Sequence, residues 1–305
     1  MRILSIQSSV AYGHVGNTAA TFPLQRLGHE VWPVLTVHFS NHTGYGSWRG
    51  QVLDPAVVSE VIEGVADRGV LGTVDAILTG YQGSPGVAEV VLRTVRRVRA
   101  LNPAAVYCCD PVMGDVDRGV FVLPGVPELM RDRVVPAADI VTPNAFELAF
   151  LTGVPLADLG ELPGLLAAVG RLRAMGPSTV LVTSVEIRTK TGPAGIGPAE
   201  VGPDEPDPGE IAPGEIAMLA VDSTGAFLVR TPKLPISVNG AGDVTAALFL
   251  AHLPGGVRTA LAKVASSVYA ILRRTADCGT REIQLVQSQA EIAEPACEFE
   301  VVRVG

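Results

Sequence analysis

Along the chain, short runs of consecutive apolar residues alternate with longer stretches in which apolar positions recur at helical spacing. The short runs predict strands over Ile3–Gln7, Val31–Val37, Ala76–Thr79, Ala105–Cys109, Asp139–Thr142 and Val180–Thr183. Several are continuously apolar, the pattern of strands covered on both faces. The longer stretches predict helices over Gly16–Leu27, Pro55–Gly64, Pro85–Leu101, Glu128–Val135, Ala145–Thr152 and Leu162–Ala174. In the third of these, Val87, Val90, Val91, Thr94, Val95 and Val98 form one stripe, while Arg93, Arg96, Arg97 and Arg99 solvate the other side. Alternation of this kind predicts an α/β fold of three layers, a mostly parallel central sheet flanked by helices.

The rhythm changes in the last third. Met218–Asp222 and Ala226–Arg230, joined by a turn, predict a late antiparallel hairpin, and helices follow over Asp243–His252 and Thr259–Ala276. Between Thr191 and Ile216, Pro, Gly and acidic residues dominate. Such a stretch buries too little apolar surface to offset its ordering entropy, so 191–216 predicts a mobile surface insertion within one domain spanning 1–305.

Composition narrows the function classes. With 305 residues, 48% of them hydrophobic, the chain can bury a substantial core. It has no apolar run of about 18 residues, the length of a membrane-spanning helix. The N-terminal stretch turns polar too quickly for a secretory signal. A net charge of −8 argues against a general nucleic-acid surface. Cys108, Cys109, Cys278 and Cys297 have neither metal-ligand spacing nor the density of a disulfide scaffold, so a reducing cytoplasm is the expectation. Cys108 and Cys109 fall within a predicted buried strand and read as core.

The chemistry concentrates in Ser237-Val238-Asn239-Gly240-Ala241-Gly242-Asp243-Val244-Thr245. Where a helix begins, the first backbone N–H groups lack intrahelical partners and the dipole is positive. Gly240 and Gly242, with Ala241 between them, leave those amides open to a phosphoryl group. Asp243 beside them could take the proton of an attacking alcohol. Taken alone, the stretch reads equally well as a loop with an N-capping aspartate. Neither the dinucleotide fingerprint nor the Walker loop fits it.

Gly-Ala-Gly-Asp near the end of an α/β chain resembles the signature of the ribokinase-like superfamily. Five further blocks resemble its pyridoxal kinase family and occur in the family's order. They are Ile6–Asn17, Phe39–Tyr45, Thr79–Tyr81, Asp110–Asp115 and Thr142–Glu147. The resemblance implies ATP-dependent phosphorylation of the 5′-hydroxymethyl group of pyridoxal, with pyridoxine and pyridoxamine as further candidate vitamers. It implies that Asp243 is the base and that Gly240, Ala241 and Gly242 form the anion hole. Ser8, Val15, Val37, Thr43, Tyr81 and Asp243 would meet the B6 ring. Asp110, Thr142, Asn144, Glu147, Thr183, Ser184, Val238, Asn239, Gly240 and Gly242 would face the nucleotide. Asp110, Asp115, Glu147 and Thr142 would serve Mg²⁺, and Thr142 also a monovalent cation, K⁺ or Na⁺. Some relatives carry glutamine where this chain has Gly44, which blurs the vitamer preference. Loops around Thr43 and Thr191–Ile216 would close over the substrates, and a homodimer is expected.

Other readings stand beside this one. A hydroxymethylpyrimidine kinase shares fold and chemistry, and a B6-binding reservoir protein would need no turnover. A sugar kinase fits less well, because the chain opens directly on its first predicted strand and leaves no room for an N-terminal β-lid.

Overall fold

The computed structural model describes residues 1–186 and 214–305. Six parallel strands form the centre of a ten-stranded sheet: β1 (Arg2–Val10), β2 (Glu30–Phe39), β4 (Ala76–Thr79), β5 (Val106–Cys109), β8 (Ile140–Val141) and β9 (Thr179–Val185). Their order across the sheet is β9-β8-β5-β4-β1-β2. Antiparallel strands extend both edges: β3 (Gly50–Val52) beyond β2, and β10 (Glu215–Asp222), β11 (Gly225–Pro232) and β12 (Val301–Arg303) beyond β9. A separate small ribbon pairs β6 (Gly114–Asp115) with β7 (Gly119–Val120).

Two helical layers cover the sheet. One holds α2 (Pro55–Ala66), α3 (Pro85–Leu101), α4 (Val126–Leu129), α5 (Ala145–Thr152) and α6 (Leu162–Ala174). The other holds α1 (Asn17–Arg26), α7 (Ala241–His252), α8 (Val257–Cys278) and α9 (Gln289–Ala293). Each layer closes its own hydrophobic core against the sheet. Polar residues set the helix starts. Asp54 and Ser84 cap α2 and α3 ahead of a proline, whose missing N–H costs nothing in a first turn. The valine stripe of α3 is buried throughout, and its arginines face outward, with Arg97 on Glu63 and Arg99 on Asp139.

The predicted strands and helices are present, with revised limits. The hairpin is longer than its apolar run, because Glu215 and Ile216 pair with Pro232 and Thr231. These two residues therefore leave the predicted insertion for the sheet, and 191–213 lie outside the described residues. The predicted helix over Glu128–Val135 is instead α4 followed by a π-turn over Met130–Val134. Strands β3, β6, β7 and β12 are too short to leave a periodic signal. Cys108 and Cys109 are buried in β5, as expected of core residues. Among the described residues, no helix is long and apolar enough to cross a membrane.

Candidate active site

Strand β1 lies between β2 and β4, so the order in which strands are added to the sheet reverses beside it. Ligand crevices of α/β sheets form outside the strand ends at such a point. Two register irregularities occur along the sheet, one in β1 and one in β9, with β4, β5 and β8 between them. The β1–β2 register slips between Gln7 and Ser9, which puts Ser8 at a bulge within β1, two residues before its end. The β9–β10 register slips around Thr183 and Ser184, and Ser184 takes a left-handed φ of 55°. Bulges re-aim side chains and often occur beside functional sites.

Helix α7 begins at Ala241, two residues earlier than its apolar pattern suggests, with Gly240 as its N-cap. Asp243 is thus the third helical residue and not the capping one. Gly240 has φ +92°, and a Cβ on it would overlap the His14 carbonyl oxygen. Glycine is required there by conformation and by space. Gly242 is exposed, and a Cβ on it would meet only Asp110 Oδ2, at 3.9 Å. The start of α7 therefore opens directly toward that carboxylate.

The Asp243 carboxylate receives the backbone N–H groups of Gly16 and of Asp243 itself, yet burial pushes its pKa up to about 6. Gly16 is the N-cap of α1, and a Cβ on it would overlap Ser8. Two helix N-termini thus meet at one carboxylate, and both dipoles favour negative charge between them.

Two further acids lie nearby. Asp110, just after β5, and Glu147, in the first turn of α5, are 5% and 4% exposed. Asn144 and Glu147 form a reciprocal capping box: Glu147 Oε2 accepts the Asn144 N–H at 3.0 Å, and Asn144 Oδ1 accepts the Glu147 N–H at 2.9 Å. Glu147 Oε1 also accepts the Met113 N–H at 2.9 Å. Burial nonetheless pushes Glu147 up to about 7. Asp110 is held well above the usual carboxylate range, by burial first, then by the charges of Glu147 and Asp243. Thr142 Oγ1 donates to Asp110 Oδ1 at 3.1 Å. This is an all-oxygen, crowded, negative set, of the kind that suits a hard divalent cation. Among the described residues, no three His, Cys, Asp or Glu converge tightly enough to hold an ion by themselves. Water would complete the coordination, as Mg²⁺ prefers.

Asp115 is placed differently. Its carboxylate is engaged by Arg118, whose Nε donates at 2.6 Å and whose backbone N–H donates at 2.8 Å. Arg118 also donates from Nη1 to Asn239 Oδ1 at 3.2 Å. Asn144 donates from Nδ2 to the Gly114 carbonyl at 2.8 Å and bridges to Thr183, whose N–H reaches the Pro143 carbonyl. Five of the residues expected on the nucleotide side, Asp110, Thr142, Asn144, Glu147 and Thr183, are therefore linked across β5, β8 and β9. Val238 packs on the second core, just before the α7 turn.

Val15 and Tyr81 pack on a small separate cluster of Val10, Val37 and Phe39. Three of the expected ring contacts, Val15, Val37 and Tyr81, therefore come together, and Ser8 lies on the adjoining strand β1. Thr43 does not join them. It is exposed on a single 3₁₀ turn, Thr43–Tyr45.

That turn is held by residues the sequence pattern does not single out. Glu282 accepts from Tyr45 OH at 2.7 Å, from His42 Nε2 at 3.0 Å and from the His14 N–H at 3.2 Å. These partners lie more than 230 residues away along the chain, where no local spacing could reveal them.

The chain is similar to known proteins over its full length. A family model described as phosphomethylpyrimidine kinase matches residues 33–285. The chain is 55% identical to the pyridoxal kinase PdxY of Leifsonia xyli and 56% identical to that of Rubrobacter xylanophilus. Both alignments cover 100% of this chain, with 100% and 98% of the respective relative. Among solved structures, the pyridoxal kinase from Leishmania donovani in complex with ADP and ginkgotoxin superposes with a TM-score of 0.86 at 28% identity, covering 100% of this chain and 99% of that one. Its complex with ADP and pyridoxine gives 0.85 at 27% identity, with the same coverage. With full-length identity above one half and the same fold throughout, this chain belongs to the pyridoxal kinase family.

Proposed function

We propose that the chain moves the γ-phosphate of ATP onto the 5′-hydroxymethyl group of pyridoxal, forming pyridoxal 5′-phosphate for B6 salvage. The observation that carries this reading is the convergence of Asp243, the open α7 N-terminus and the Asp110–Glu147 pair. The pyridoxal kinase relatives supply the acceptor.

In this reading Asp243 takes the proton of the 5′-hydroxyl as the oxygen attacks phosphorus. The unpaired N–H groups at the start of α7 stabilise the charge gathering on the phosphoryl oxygens. Ser8 bonds the polar edge of the ring, while Val15 and Tyr81 pack against its face over Val37. Thr43 covers the ring substituents. Asn144, Thr183 and Ser184 face the nucleotide. Asp110, Glu147 and Thr142 would hold Mg²⁺ through water, and a bound ion would neutralise phosphate charge. Thr142 also suits a monovalent ion. Asp115 would join this set while shared with Arg118. The chain would work as one domain, since the site draws on residues from β1 to beyond α8. The exposed valines Val52, Val57 and Val61 along β3 and α2 support a homodimer, and the two buried cysteines suit a reducing cytoplasm.

The family model bears a pyrimidine kinase description, so the acceptor is what needs testing. Steady-state kcat/KM for pyridoxal, pyridoxine and hydroxymethylpyrimidine, measured side by side with ATP and Mg²⁺, should favour a B6 vitamer. Preference for the pyrimidine would keep the chemistry and overturn the substrate.

A further inference from the structure

We propose that Glu282 is a positioning residue that fixes the Thr43 turn beside the acceptor pocket, so that acceptor affinity depends on its carboxylate and ATP affinity does not. The proposal rests on the pyridoxal kinase reading above for the identity of the acceptor.

Three segments meet at this one residue, two on its carboxylate and one on its backbone. The first is the β1–α1 loop, whose His14 N–H bonds to Oε2. The second is the loop after β2, whose His42 and Tyr45 both bond to Oε1. The third is the approach to α7, because Glu282 pairs through its backbone with Asn239, the residue before Gly240. The first segment carries Val15, the second Thr43 and the third the anion hole. Glu282 is 9% exposed, and a buried carboxylate accepting several hydrogen bonds is costly to leave half-satisfied.

The protonation states keep both donors of the clasp in place across the working pH range. The carboxylate beside Tyr45 pushes its phenol up to about 12, so the hydroxyl stays a donor across the working pH range. Burial lowers the His42 pKa, outweighing the pull of Glu282. A neutral imidazole has a single N–H, and a carboxylate can only accept, so Nε2 carries the proton. Arg281 grips the same turn from outside. Its guanidinium lies 4.3 Å from the Tyr45 ring centroid, and Nη2 donates to the Gly44 carbonyl at 3.0 Å. Two consecutive residues, Arg281 and Glu282, thus hold both the outer face and the polar edge of the turn. On the nucleotide side, the bonds of Asn144 and Thr183 run instead to Gly114, Glu147 and Pro143.

The test combines kinetics with a substrate-free readout. Trp48 lies at the far end of the clasped loop, with its ring centroid 6.0 Å from that of Phe39. A Trp32→Phe background leaves it as the single tryptophan, since the chain has two. In that background, Glu282→Ala should raise the KM for pyridoxal on the order of 10-fold or more, the scale of lost hydrogen bonds to a charged group. The KM for ATP should change by less than about 2-fold, and acrylamide quenching of Trp48 should rise before any substrate is added. Glu282→Gln, which keeps an acceptor, should recover part of the loss. Tyr45→Phe should weaken pyridoxal binding in the parent protein and have no effect in Glu282→Ala, the signature of direct coupling. Should Glu282→Ala fail to fold, Glu282→Gln and Tyr45→Phe carry the same comparison. Equal changes in both KM values, or unchanged KM and quenching, would overturn the proposal. If the acceptor proves to be the pyrimidine, the same variants are read on its KM, and Trp48 quenching needs no acceptor at all.

Discussion

The phosphate end and the ring end of this site are built on different principles. At the phosphate end, position is set by backbone: a left-handed Gly240, the first turns of α1 and α7, and the Asn144–Glu147 capping box. At the ring end, Thr43 lies on an exposed turn held by side chains that reach Glu282 and Arg281. The first arrangement is rigid, as suits groups that must meet a transferring phosphoryl with little reorganisation. The second can open by breaking a few bonds and still return to one geometry, as suits a cover over an entering substrate.

If this division holds, changes at the phosphate end should strike turnover, and changes at the ring end should strike acceptor binding. The largest effect belongs to Asp243→Asn, which should lower kcat by a factor on the order of 10²–10⁴, the usual range for a lost general base. Only the ionised carboxylate can accept a proton, and burial holds its pKa at about 6. Wild-type kcat/KM should therefore rise with pH through about 6 and then level off. A flat profile, or near-wild-type turnover in the variant, removes Asp243 from the base role.

Gly240→Ala comes next. Its side chain would demand a left-handed backbone and collide with the His14 carbonyl oxygen. We expect a stability loss of about 1–3 kcal/mol by denaturant titration, with kcat falling more than either KM. An unchanged kcat would show that the start of α7 does not need this turn. The smallest effect is expected at Gly44, whose φ is unstrained but whose added Cβ would lie 2.8 Å from Asn239 Nδ2 and 3.0 Å from His42 Nδ1. Gly44→Ala should raise the KM for pyridoxal by roughly 2- to 5-fold, the scale of a modest local displacement, and leave kcat intact. A fall in kcat of similar size would blur the boundary between the two ends.

The same contrast explains what the sequence could reveal. The alternation of strand and helix is a local pattern, so the sheet and its two helical layers were legible, whereas the Gly-Ala-Gly-Asp turn alone left an anion hole and a capped loop equally open and was assigned through family resemblance. Val15, Val37 and Tyr81 were reached through family resemblance, and they do gather in one cluster. The clasp was not legible, because a glutamate at 282 bonding to residues 14, 42 and 45 follows no local spacing. The pairing of Asp115 with Arg118 was equally hidden, since a three-residue separation on a short ribbon reads like any other charged turn. The bulges at Ser8 and at Thr183–Ser184 arise from strand register, which only the assembled sheet defines.

The most direct test of the account is to incubate purified protein with ATP, Mg²⁺ and pyridoxal, and to quantify ADP and pyridoxal 5′-phosphate in the same quenched samples. The account predicts pyridoxal-dependent formation of both in equal amounts, with both lost together in Asp243→Asn. ADP formed without pyridoxal 5′-phosphate, or bound pyridoxal without ADP in a folded protein, would contradict it.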